Sequence, residues 1–188
     1  MRALFRENRV ISSIGAELDH KGCWEILSDP EMAARHFDDD ACRCFQRHVL
    51  WTRVLSDRYT ALPAGETGDL LEFARRGHEN LVLKPSRGYG GEGVLIGHMV
   101  SAADWERALE AALADEELWV VQSLAQIPVL EVPTLGAAAT LEPEMFYHVM
   151  GYASGQQGLA ILARASQRQV VNVAQRGGMA AVMVVQEA

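Results

Sequence analysis

Apolar positions fall into two textures along the chain. From Lys21 to about Arg76 they recur at helical spacing. KGCWEILSD predicts a short amphipathic helix, and Pro30 suits the first turn of the next, PEMAARHF. Asp38, Asp39 and Asp40 are placed to cap a helix beginning near Ala41. That helix, ACRCFQRHVLWTRVLSD, sets Phe45, Val49, Thr52 and Leu55 along one side. LPAGETG reads as a loop, and helix DLLEFARRG follows, with Gly77 as its stop. Residues 1–20 look irregular, with RVISSI as a short strand.

After Glu79 the spacing becomes that of strands. NLVLKPS and GVLIGHMV flank a run of glycines. Ser101 is a good N-cap for AADWERALEAALADEE. LWVVQSL predicts a buried strand, and QIPVLEVPTL an extended segment whose prolines suit an edge. FYHVMGYAS, GLAILARAS, QVVNVAQ and AAVMVVQ then predict a series of strands broken at glycine or polar turns. Helices come first, then strands with one helix among them.

Composition narrows the function. The net charge of −8 over 188 residues argues against general binding to nucleic acid, which needs basic surface to displace counterions. Cys23, Cys42 and Cys44 complete no zinc pattern and read as reduced thiols. The six histidines show no metal-binding spacing. No window holds the roughly 18 apolar residues needed to cross a bilayer, and MRALFRENRV lacks the apolar stretch of a signal peptide. The expectation is a cytoplasmic chain with no membrane partner. Of 17 basic residues only Lys21 and Lys84 are lysines, which draws attention to both.

Lys84 stands just before the glycines, in LVLKPSRGYGGEGVLIG. Glycine admits positive φ, so successive backbone N–H groups can converge on an anion. A tight hairpin with no ligand is the plain alternative. A dinucleotide fingerprint needs a helix directly after the loop, and here VLIGHMV follows. A Walker loop ends in Gly-Lys-Ser/Thr, whereas Glu92-Gly93-Val94 closes this one. A protein kinase carries its lysine on the strand beyond, with H-R-D and D-F-G motifs that this chain lacks.

The order strand, Lys84-Pro85, glycine loop, strand, helix, strand resembles the ATP-grasp superfamily. Lys21 before a Trp-containing helix, VLWTRVL at 49–55, LWVVQSL and the ending ARAS…VVNVAQRGGMAAVMVV resemble its circularly permuted branch, which includes glutathionylspermidine-synthase-like ligases. The resemblance covers roughly residues 17–186. It implies an α/β (α+β) fold of ATP-grasp type: a mainly helical lead-in (1–79), a nucleotide-clamping strand–glycine loop–strand lobe (80–125) and a C-terminal antiparallel sheet (126–188), with an ATP cleft between the lobes. It implies that Lys84 and Lys21 meet the phosphates, and that Gly88, Tyr89, Gly90, Gly91 and Gly93 close over them. Gln122, Ser123 and Leu124 would form the adenine hinge. Arg164 would act on the transferring phosphoryl group or hold a substrate carboxylate, alongside Lys84. Asn172 would supply an oxygen to Mg²⁺.

The acidic metal ligands depart from the family pattern. Val170 stands two before Asn172, where Glu-x-Asn is usual, which leaves Glu131 and Glu144 as the candidate carboxylates. The implied function is an ATP-dependent carboxylate–amine ligase that acts through an acyl-phosphate on a small-molecule carboxylate and amine. The alternative is a non-catalytic or incomplete nucleotide-binding module of a larger ligase. Permuted ligases carry an upstream region for which this chain has little room. An upstream domain or partner chain is therefore expected to complete the acceptor site. A protein-interaction domain with no small ligand is a third class.

Overall fold

The structure is a computed structural model that describes residues 2–7, 20–135, 140–156, 158–171 and 177–185. It is a mixed α+β chain whose sheets are all antiparallel. The chain divides into two compact units, Met1–Gly88 with Gly93–Ala125, and Tyr89–Glu92 with Gln126–Ala188. No helix among the described residues is long and apolar enough to cross a membrane.

The first unit holds helices α1 (Arg2–Arg6), α2 (Cys23–Ser28), α3 (Pro30–Ala34), α4 (Asp39–His48), α5 (Leu70–Arg76) and α6 (Ala102–Ala114). Side-chain caps start four of them. The Asp29 carboxylate accepts from the N–H groups of Glu31 and Met32, Asp38 from Ala41, Asp69 from Glu72 and Ser101 from Asp104. The strands are β1 (Thr52–Val54), β2 (Tyr59–Ala61), β3 (Thr67–Asp69), β4 (Leu81–Pro85), β5 (Leu95–Ile96) and β6 (Trp119–Ser123). β2 and β3 form a hairpin over the LPAGETG loop, and β1, β6, β4 and β5 form one sheet in that order.

The helix expected over 41–57 is not formed along its whole length. It stops at His48, and Thr52–Val54 instead pairs with Val120–Gln122 of β6. The N-terminal part is therefore not helical throughout, and residues 52–54 share a sheet with 81–85 and 119–123. Tertiary partners override the helical spacing. The Arg53 guanidinium is fully buried and spends its N–H groups on Thr60 Oγ1, Ser28 Oγ, the Thr52 and Ala61 carbonyls and the Asp29 carboxylate. Burial lowers its pKa, and Asp29 opposes that shift. GVLIGHMV also pairs over only two residues. A Cβ at Gly97 would lie 1.7 Å from the His78 carbonyl oxygen, so the chain bends away there.

The core lies on one face of the sheet. Leu81 and Leu83 of β4 and Val121 of β6 pack with Leu70, Leu71 and Ala74 of α5 and with Trp105, Leu109 and Ala112 of α6. Trp105 Nε1–H donates to the Ala74 carbonyl at 3.0 Å. By strand alternation the other face carries Val82, Lys84, Val120, Gln122, Thr52 and Ile96.

The second unit is a meander of β7 (Val129–Leu135), β8 (Leu141–Gly155), β9 (Gly158–Ser166) and β10 (Gly178–Ala180), ordered β10-β9-β8-β7. β7, with Pro133, is an edge, as expected. Among its described residues only Ala163 and Ser166 are buried. Among its described residues, expected strand AAVMVVQ is paired only at its start, in β10, and residues 169–171 of expected strand QVVNVAQ are not in a strand. The rest of QVVNVAQ, like RVISSI, lies outside the described residues.

Candidate functional site

β4 ends in Lys84-Pro85 and the chain then enters Ser86–Gly93. Gly90, Gly91 and Gly93 adopt φ of 67°, 79° and 70°, a region that side-chain-bearing residues avoid. At Gly93 a Cβ would lie 3.1 Å from Pro85 Cδ, so glycine also lets the loop return against the proline ring. Tyr89 is exposed.

The two lysines converge at the start of this loop. Lys21 N–H donates to the Ser86 carbonyl at 3.0 Å, and Lys21 Nζ donates to the Gly88 carbonyl at 2.8 Å and to that of Ser86 at 3.4 Å. Gly22 N–H donates to Ser86 Oγ at 2.9 Å, and Ser86 Oγ lies 2.5 Å from His20 Nδ1. A Cβ at Gly22 would come within 3.2 Å of Ser86 Oγ, so the close approach favours glycine there. His20-Lys21-Gly22 is thus stitched to Ser86, which is fully buried.

Lys84 is half-buried, and its Nζ donates to Gln122 Oε1 at 2.5 Å. Gln122 Nε2–H donates to Thr52 Oγ1 at 2.6 Å, and Thr52 Oγ1–H to the Leu50 carbonyl at 2.9 Å. Burial, and then the neighbouring Lys21 charge, push the Lys84 pKa down to about 8. No described carboxylate forms an ion pair with Lys84; its partner is a neutral amide. A desolvated ammonium facing a second ammonium gains most from a bound anion, and a polyphosphate supplies charge for both.

The expected adenine hinge sits on β6, next to β4. Gln122 presents its side chain on the Lys84 face. The N–H groups of Ser123 and Leu124 are committed to the carbonyls of Trp51 and Asn80, at 2.9 and 2.8 Å. These two residues can therefore offer a base edge carbonyl acceptors but not amide donors.

Arg164, Glu131 and Glu144 belong to the second unit. Arg164 is half-buried on β9, flanked in the ladder by Val149 and Met179, and its guanidinium bonds to no described residue. Glu131 pairs with Met145, and Glu144 with Val132. Adjacent ladder rows point to opposite faces of a sheet, so these two carboxylates cannot converge on one ion. Glu144 Oε2 instead accepts from Gln167 Nε2–H at 2.8 Å. Asn172 lies outside the described residues. No group of three or more His, Cys, Asp or Glu suited to a metal occurs among the described residues.

Sequence reasoning passed over Thr52, Ser86 and His20. Thr52 sat inside an expected helix, and the signal that marks it is the run Trp51–Val54 beside β-branched Val49. Ser86 and His20 carry no sequence signal of their own, because their pairing spans 66 residues. Compared with known proteins, the chain matches no family model, and no curated protein matches it.

Proposed function

We propose that the chain is a nucleotide-binding domain of ATP-grasp type that holds ATP through its phosphates at Lys84, Lys21 and the Ser86–Gly93 loop. The single observation that carries this reading is the meeting of the chain's two lysines beside Ser86 and Gly88, where the glycine run begins. Such a loop can wrap backbone N–H groups around phosphate oxygens, and the lysines neutralise them. As a ligase, it would transfer the terminal phosphoryl group to a carboxylate, and an amine would then displace phosphate to leave an amide. The chain's residues serve that chemistry by positioning and by charge. Mg²⁺ would supply further charge neutralisation when bound.

The second reading, a binding module without ligation, is favoured by a specific observation. Glu131 and Glu144 face opposite sides of their sheet, so the two candidate carboxylates cannot share one metal ion. The two readings separate in one experiment. Mg·ATP is expected to raise Tm by several degrees, and Lys84→Ala to abolish the shift. ATP turnover that appears only with an added carboxylate and amine selects the ligase, and binding without turnover selects the module. The absence of any thermal shift with ATP or ADP rejects both.

A further inference from the structure

The nucleotide reading leaves one groove of the second unit unused. It lies beside β7 and β8 at the end of β9 and has a volume of about 470 Å³, within the roughly 300–1,000 Å³ common to small-molecule sites. Its lining carries both signs of charge. Glu144 reaches it from β8, held through Oε2 by Gln167, while Oε1 accepts from no described residue. Arg168 reaches it from the turn after β9, where its backbone N–H donates to Ser166 Oγ at 3.0 Å. The Arg168 guanidinium bonds to no described residue, and no ion pair joins it to Glu144. Phe146, on the same sheet face as Glu144, and Leu135 supply apolar wall.

Charge and shape exclude two occupants. A divalent cation prefers several hard oxygen ligands, and here a single carboxylate shares the groove with a guanidinium. A phosphate gains from Arg168 but is repelled by Glu144. A zwitterion satisfies both. Its ammonium donates to the carboxylate, its carboxylate takes the guanidinium fork, and its side chain covers the aromatic ring. We infer that this groove binds a free α-amino acid with an apolar side chain. As the amine substrate of the ligase, that amino acid rests on the function proposed above; as a ligand of the groove, it does not.

The test is calorimetric titration of the full chain with L-leucine in the absence of nucleotide, so its outcome is separate from that of the Mg·ATP thermal shift. Saturable binding is expected. Affinity should fall at least tenfold for N-acetyl-leucine, which lacks the ammonium, and for leucinamide, which lacks the carboxylate. Glu144→Gln and Arg168→Gln should each cause a comparable loss. Both positions are at the surface, so circular dichroism should show the fold intact. No saturable binding, equal binding of either blocked derivative, or unchanged affinity in either variant would overturn the proposal. Mn²⁺ that broadens the Gln167 side-chain resonance in the wild type but not in Glu144→Gln would also overturn it, by returning Glu144 to a metal.

Discussion

The two units use antiparallel sheets in different ways. In the first, α5 and α6 bury one face of the β1-β6-β4-β5 sheet, and Leu70, Leu83, Leu109, Val120 and Val121 are wholly removed from solvent. In the second, Leu135, Leu141, Met145, Met150, Tyr152 and Met179 all remain more than half exposed on a sheet with the longest strands among the described residues. Pairing alone satisfies backbone groups, but it removes little apolar surface from water. Strand length is therefore no guide to where stability resides. It resides where a second layer covers the sheet, and that support lets the opposite face hold a costly group such as half-buried Lys84.

The sharpest way to break this contrast is to truncate a leucine in each unit. Leu109→Ala should cost about 3 kcal/mol, and Leu141→Ala under about 1 kcal/mol, in denaturant unfolding. Equal costs would show that the second sheet is covered after all. Hydrogen exchange offers the same comparison without mutation. Amides of β4 and β6 should open only near the global unfolding free energy, and those of β8 and β9 well below it.

Charge gives the next contrast. Replacing Lys84 by Met should stabilise the ligand-free protein by about 2 kcal/mol at pH 7, because the wild type holds a desolvated cation beside Lys21. Arg164→Met should stay within about 0.5 kcal/mol. The sign with pH follows from the same shift. The folded value of about 8 lies below the ordinary 10.5, so the unfolded chain binds more protons between them. Wild-type stability should therefore rise relative to Lys84→Met as pH climbs from about 8 to 10.5, while ATP affinity falls as the ammonium is lost. A flat difference across that window, measured by urea titration, would remove the buried charge from the account.

The smallest contrast concerns two threonines. Thr52→Val removes the acceptor of the Gln122 amide in a fully buried position and should cost about 1 kcal/mol. Thr134→Val removes a hydroxyl that donates to the Glu142 carbonyl near the surface, and its cost should be close to zero. Thermal melts of both variants compare them directly.

Local chemistry was enough for the caps and the breaks. Asp38 and Ser101, expected as caps, start helices because a side-chain oxygen meets a backbone N–H three residues on, a contact written within one turn of chain, and the structure adds Asp29 and Asp69 in the same role. The sequence alone also marked β4, the glycine turn, α6 and β6, since each combines strong spacing with glycine or capping punctuation. Tertiary structure decided the rest. Residues 52–54 become a strand because β6 offers backbone partners and Arg53 finds its partners among residues distant in the chain. Lys21 meets the loop because His20 and Gly22 close on Ser86, and Glu131 parts from Glu144 because register sends neighbouring rows to opposite faces. Such facts depend on which distant segments meet, and one-dimensional spacing carries no record of that.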